Sequence, residues 1–387
     1  MGILRLYLAL CVVAAHSNAE MPIFEIGGRT AVQIFYLISG FYMALVLPQY
    51  KKVSEFYASR LLRIFPTYWL ILIIVFVSSL AIGNVTGNWL SLSSTLERLK
   101  EDGLSAGSIL CITTNLTLFA QDFLFFLNHS FDSGFSFTSN FSTSNQPLHG
   151  YLIIPQSWTV ALELCFYLAT PLICGLRLRS LVSVTCFLWF VRFFAYYQFE
   201  LDHDPWTYRF YFFEIGVFSL GILMFKVYNE PRTKEAITKL GKHISFQSKW
   251  TYFLVVGGAL LLLEFSHAYM SSPQIANLYP LAMVLLVSLL LPIIFETSKT
   301  HRFDRYLGEF SFPVYLIHIF ILSLVASYWK QVAFLSGSSP EELTLMCMII
   351  AVVVSYVIIA CFIKPLDRLR HKLLRAQEPE AEGAALR

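Results

Sequence analysis

The sequence predicts an all-α, polytopic membrane protein with about ten transmembrane helices and with both termini in the cytoplasm. Three observations carry that prediction. Of the 387 residues, 56% are hydrophobic and 14% charged, whereas a soluble domain carries about 25% charged residues. The apolar runs are continuous for about 20 residues, the length that crosses a bilayer as a helix, and lack the alternation of barrel strands. Finally, 21 of the 28 Lys and Arg residues fall on alternate connecting segments and the C-terminal tail, as expected when basic loops stay inside.

The spans lie near residues 3–19, 31–48, 64–82, 156–175, 180–199, 209–227, 250–268, 277–296, 310–329 and 342–363. The first follows a very short basic region, Met1 to Arg5, with no small-residue cleavage site after it. It is therefore expected to stay as a span and not to be removed as a signal peptide. The inner segments carry Lys51, Lys52, Arg60, Arg63, Arg177 and Arg179, then a basic loop from Lys226 to Lys249. Lys299, Arg302, Arg305 and the tail from Lys364 follow. Outer segments and span ends keep Arg29, Arg98, Lys100, Arg209 and Lys330.

This count also decides residues 107–127, GSILCITTNLTLFAQDFLFFL. Were that stretch to cross, every later loop would invert, so it is read as an interfacial or re-entrant part of the long outer loop 83–155. Residues 128–150, rich in Ser, Asn, Thr and Gly, are expected to be irregular or mobile. The loop holds N-x-S/T triplets at Asn84, Asn115, Asn128 and Asn140, which are glycosylation acceptors in a suitable host or chance occurrences in a Ser/Thr-rich segment. A transmembrane domain over 1–375 and a frayed tail over 376–387 complete the organisation. The seven cysteines are scattered, form no CxxC pair and read as buried small hydrophobes.

Ionisable groups inside spans are costly and so mark function by default. Arg5 and His16 stand eleven residues apart, about 16 Å along a helix and within about 20° of one another around it. Either they line one wet cavity, or Arg5 snorkels at the inner interface and His16 sits at the outer one. Arg60 and Arg63 are neighbours on one helix face, suited to clamping phosphates or to anchoring the inner boundary. Glu163 lies inside a span and needs a partner, catalytic or structural. Ser311, Tyr315 and His318 share a face of the ninth span, for a donor pocket or for helix packing. Trp158, next to Ser157, fits an interface anchor or a sugar platform. Arg192 and Arg209 are weaker candidates, and Glu214 and Glu264 receive no role. Neither a metal motif nor a Gly-rich phosphate loop is found.

The Arg-x10-His pattern resembles the signature of the acyltransferase 3 family of integral membrane proteins. GGRTAVQIFYLISGFYMA (27–44), FYASRLLRIFPTYW (56–69), QSWTVALELCFYLATP (156–171) and LGEFSFPVYLIH (307–318) are similar to its later blocks, in the family's order. Thr159 stands where Ser is usual, and Phe312 where Tyr is common. The resemblance implies transfer of an acyl group, commonly acetyl, from cytoplasmic acyl-CoA to a hydroxyl of an extracytoplasmic glycan. Lipopolysaccharide O-antigen or an exopolysaccharide is such an acceptor, and a bacterial inner membrane would be the location. It makes His16 the general base, Arg5 a donor-holding or charge-stabilising group, and Glu163 their partner. Arg60, Arg63, Tyr315 and His318 would bind acetyl-CoA, and Ser157 and Trp158 the acceptor. Neither metal nor nucleic acid is expected. Twelve acids among the outer segments favour a neutral or mixed glycan over an anionic one. A transporter of a lipid-linked sugar or acylated small molecule is the alternative, although no inverted repeat is evident.

Overall fold

In hydrocarbon a backbone has no water to bond, so each long apolar run satisfies its own amides and carbonyls as a helix. The computed structural model describes residues 1–17, 19–21, 23–130, 134–144, 146–244, 248–267, 278–332 and 337–368. Among them are the helices α1 (Gly2–Ala15), α2 (Gly28–Val46), α3 (Val53–Thr86), α4 (Ser93–Asp102), α5 (Ala106–Thr117) and α6 (Trp158–Gly175). They continue with α7 (Leu178–Phe199), α8 (Tyr211–Asn229), α9 (Pro231–Ile244), α10 (Lys249–His267), α11 (Tyr279–Ser298), α12 (Arg302–Tyr328) and α13 (Pro340–Ile358). Eight of the ten expected spans form helices long and apolar enough to cross a membrane, and the first and seventh, α1 and α10, are shorter apolar helices. The protein is an all-α, multi-pass membrane protein.

The short first helix is the centre of the bundle. Leu4, Leu8, Ala9, Cys11, Val12 and Val13 are at most 1% exposed, because α1 packs chiefly on α12 and α2. Glycine sets how close these helices come. A Cβ on Gly2 would lie 1.6 Å from the Asp304 carbonyl oxygen, and one on Gly40 of α2 would lie 2.0 Å from that of Phe218 on α8. Small residues at such crossings let backbones touch where lipid offers no hydrophobic drive.

Two helices run past their expected apolar limits and one stops short. α3 starts at Val53, not 64, and α12 at Arg302, not 310, while α1 stops at Ala15, not 19. Hydropathy reads only the apolar part of a helix that continues into polar flanks. The extensions put Arg60, Arg63, Asp304 and Arg305 on rigid helix.

In the outer loop, residues 107–127 form α5 and a 3-10 turn over Asp122–Phe126, and are not among the long apolar helices. The Gln121 amide donates to the Thr114 carbonyl at 3.0 Å, and Tyr68 on α3 donates to the Asn115 carbonyl at 2.5 Å. The expectation of irregularity over 128–150 is corrected in part. Leu127–Ser130 and Gly134–Phe137 pair as an antiparallel hairpin, with Asn128 opposite Ser136. Its second strand alternates Phe135 and Phe137 with Gly134 and Ser136, a period of two that composition alone conceals. Of the triplet asparagines, Asn84 is exposed. Asn115 is 4% exposed, its amide donating to the Cys111 and Tyr151 carbonyls and accepting from the Ile153 amide. That residue is closed to glycosylation once folded. The tail 376–387 lies outside the described residues.

Candidate active site

α1, α2, α3, α6 and α12 enclose a cavity of about 330 Å³. One stripe of α12 lines it from mouth to closed end: Arg305, Gly308, Phe312 and Tyr315, spaced three and four residues apart as one helix face requires. α1 contributes Arg5, α3 Arg60 and Arg63, and α6 Thr159 and Glu163. Between these, α2 supplies Val32, Phe35, Ile38 and Met43. The cavity is therefore basic at its mouth and apolar along its middle.

Its charges do not balance. Four guanidinium groups face two carboxylates, Glu163 and Asp304. Asp304 is already engaged, since its oxygens accept from the Met1 amine at 2.6 Å, the Gly2 and Ile3 amides, and the Tyr252 hydroxyl. Glu163 accepts from Ser39 and Tyr167, both at 2.6 Å and both at Oε1. Arg60 donates weakly to Tyr50 and Ser59, at 3.3 and 3.5 Å. Among the described residues, Arg5, Arg63 and Arg305 have no side-chain ion pair or hydrogen bond. Glu163 thus lies in the cavity but pairs with hydroxyls, not with His16 or an arginine.

His16 caps α1 at the opposite end, paired with His318 of α12. The His16 Nδ1 lies 2.8 Å from the Val12 carbonyl, the His318 Nδ1 lies 2.6 Å from the Tyr315 carbonyl, and His318 Nε2 lies 3.4 Å from His16 Nδ1. A carbonyl only accepts, so both Nδ1 atoms carry the proton in the neutral rings. His318 Nε2 then offers its lone pair to the His16 Nδ1 proton, and His16 Nε2 is left as the basic nitrogen. His318 is fully buried while His16 is exposed.

Among the described residues, the cavity that holds Arg5 does not extend to His16. Neither histidine lines the cavity, which ends at Tyr315. That hydroxyl accepts from Thr159 at 2.9 Å and donates to the Gln156 carbonyl at 3.3 Å, so the ring is latched across the way. The Tyr315 ring is 5.8 Å from that of His318 and 6.3 Å from that of Phe35. Arg5 lines the cavity and His16 does not; the Tyr315 ring of α12 lies between the lining and His318.

The proposed acceptor residues also stand off the cavity. Ser157 is fully buried, donating to Gln121 Oε1 at 2.6 Å. Trp158 is 5% exposed and packs edge-on against Phe125 and Tyr208. Beneath them Arg209 is gripped by Asp204 at 2.7 and 3.0 Å, with its guanidinium 4.2 to 4.6 Å from the Phe125, Trp158 and Tyr208 rings. Both residues thus build the outer wall, and neither presents a free binding surface. In the same loop burial pushes the Asp122 carboxyl up to about 7, and burial with Arg209 and Arg98 pulls His149 down to about 4.

Other charges acquire partners that the sequence left open. Arg192 of α7 meets Glu214 of α8 at 2.6 Å, with side chains 1% and 0% exposed, and Gln33 donates to the same carboxylate oxygen at 3.0 Å. Glu264 of α10 accepts from the Tyr7 hydroxyl at 2.5 Å and from the Phe24 amide at 2.6 Å, pinning the chain after α1. Arg305 is the site residue that sequence reading missed, having been counted only as a topological charge. Its place in the 305/308/312/315 stripe was the available signal.

Comparison with known proteins agrees with this architecture. The sequence profile of the acyltransferase 3 family, an acyltransferase domain, matches residues 1–363. No curated protein and no solved structure matches the chain. With the profile covering nearly every described helix, the chain belongs to the acyltransferase 3 family and is a multi-pass membrane acyltransferase.

Proposed function

We propose that the protein moves an acyl group, acetyl foremost, from cytoplasmic acyl-CoA to a hydroxyl of an extracytoplasmic glycan such as O-antigen or exopolysaccharide, in a bacterial inner membrane. The observation that carries this reading is the cavity in which, among the described residues, Arg5, Arg63 and Arg305 lack anionic partners. Guanidinium forks suit phosphate oxygens, and acyl-CoA supplies phosphates at one end of a slender, mostly apolar arm. The phosphates rest on the arginines, and the arm lies along Val32, Ile38 and Phe312.

The thioester then has to pass Tyr315 to reach His16, so the reaction requires that ring to turn away from Thr159. His16 Nε2 takes the proton from the acceptor hydroxyl as its oxygen bonds to the thioester carbonyl carbon. The carbon–sulfur bond breaks, and the thiolate leaves with the proton returned by the imidazolium. His318 acts by positioning, since its Nε2 holds the His16 Nδ1 proton and favours the charged ring. The ester product carries the acyl group, and free CoA returns to the cytoplasm.

Glycan mass spectrometry tests the whole reading. An acyl-sized mass increment should disappear both in a deletion strain and in a His16→Ala variant expressed at equal level. An increment that persists in the variant removes His16 from the chemistry. A glycan unchanged by the deletion removes the acceptor.

A further inference from the structure

Resting on the donor reading above, we propose that Arg305 binds the nucleotide phosphates of the donor and so makes the protein selective for CoA thioesters over thioesters that lack them. Tyr315 marks the closed end of the cavity and Arg305 its mouth, on the same stripe of α12. Ten residues separate them, about 15 Å along the helix. An extended arm whose thioester waits beneath Tyr315 therefore brings its phosphates towards Arg305.

The local charge supports this placement. Its neighbour Asp304 lines the same cavity but is consumed by the Met1 amine, two backbone amides and Tyr252. Arg305 is exposed at the mouth and, among the described residues, has no ion pair. Arg5, Arg60 and Arg63 line the same cavity. Like charges so gathered repel one another unless an anion joins them, and a single acidic side chain there, Glu163, remains to oppose them. A residue that only marked topology would have no need to face the cavity.

The test uses the purified full chain with two donors, acetyl-CoA and acetyl-pantetheine, the second carrying no phosphate. Arg305→Gln should raise KM for acetyl-CoA about tenfold with kcat unchanged, the pattern of a contact made equally in ground and transition states. Arg305→Lys should retain part of the affinity. With acetyl-pantetheine, wild type and both variants should be indistinguishable. An unchanged KM for acetyl-CoA, or an equal rise with both donors, overturns the proposal. A wild type that binds and uses neither donor overturns the donor reading itself, and this proposal with it. Because the lysine variant keeps charge and bulk, loss of function in it with both donors also counts against a phosphate contact.

Discussion

Two sets of arginines lie within this bundle, and they are built in opposite ways. Arg192 is sealed between α7 and α8, ion-paired to Glu214 and bonded to Tyr196 and the Thr207 carbonyl. Arg5, Arg60, Arg63 and Arg305 share an open cavity whose carboxylates are too few and otherwise engaged. A buried charge that has its partner holds helices together. A group of charges without partners is destabilising for the protein alone and becomes favourable when an anion arrives. The contrast separates architecture from recognition without recourse to sequence motifs.

Breaking the sealed pair should have the largest effect. Arg192→Leu leaves Glu214 buried and uncompensated, at a cost of about 3–5 kcal/mol, and should strip folded protein from the membrane. Adding Glu214→Leu to it should restore much of that loss, and melting in detergent would read both. In the open set the expected order reverses. Arg5→Gln should lower acyl transfer about a hundredfold, if it stabilises developing charge, while leaving the melting temperature unchanged or raised. Arg63→Gln, nearer the mouth, should raise KM for acyl-CoA about tenfold and leave kcat alone. A lowered melting temperature in either cavity variant would erase the distinction.

A separate effect, in the outer loop, concerns pH. The fold holds the Asp122 carboxyl protonated up to about 7, against an ordinary value of 3.8. The folded state thus keeps a proton that the unfolded chain releases, so stability falls as pH climbs between those values. Asp122→Asn should flatten that part of the pH dependence of melting. His149 acts with opposite sign: held neutral down to about 4, it costs stability as pH falls below about 6.5. A wild type and an Asp122→Asn variant with parallel profiles would contradict the assignment.

Much of this was legible in the sequence because bilayer physics is one-dimensional. Apolar runs of fixed length locate eight long helices and two shorter ones. Family resemblance singles out residues that the cavity gathers, Arg60, Arg63, Glu163 and Tyr315 among them. What escaped was pairwise and distant. Glu264 bonds Tyr7 across 257 positions, and His318 meets His16 across 302; no local pattern announces such partners. The obstruction by Tyr315 was hidden for the same reason, because it depends on latches from α6. Ser157 and Trp158 misled because polar and aromatic side chains look alike whether they face a ligand or a wall.

On the proposed reading, the unpartnered arginines await the phosphates of an acyl-CoA. The check is titration of the purified protein with acetyl-CoA at several salt concentrations, beside an Arg63→Gln/Arg305→Gln double variant. Binding should be saturable and weaken as salt rises, with an affinity at least tenfold lower in the double variant at low salt. Binding that ignores both salt and the two substitutions, or no binding by the wild type, would contradict it.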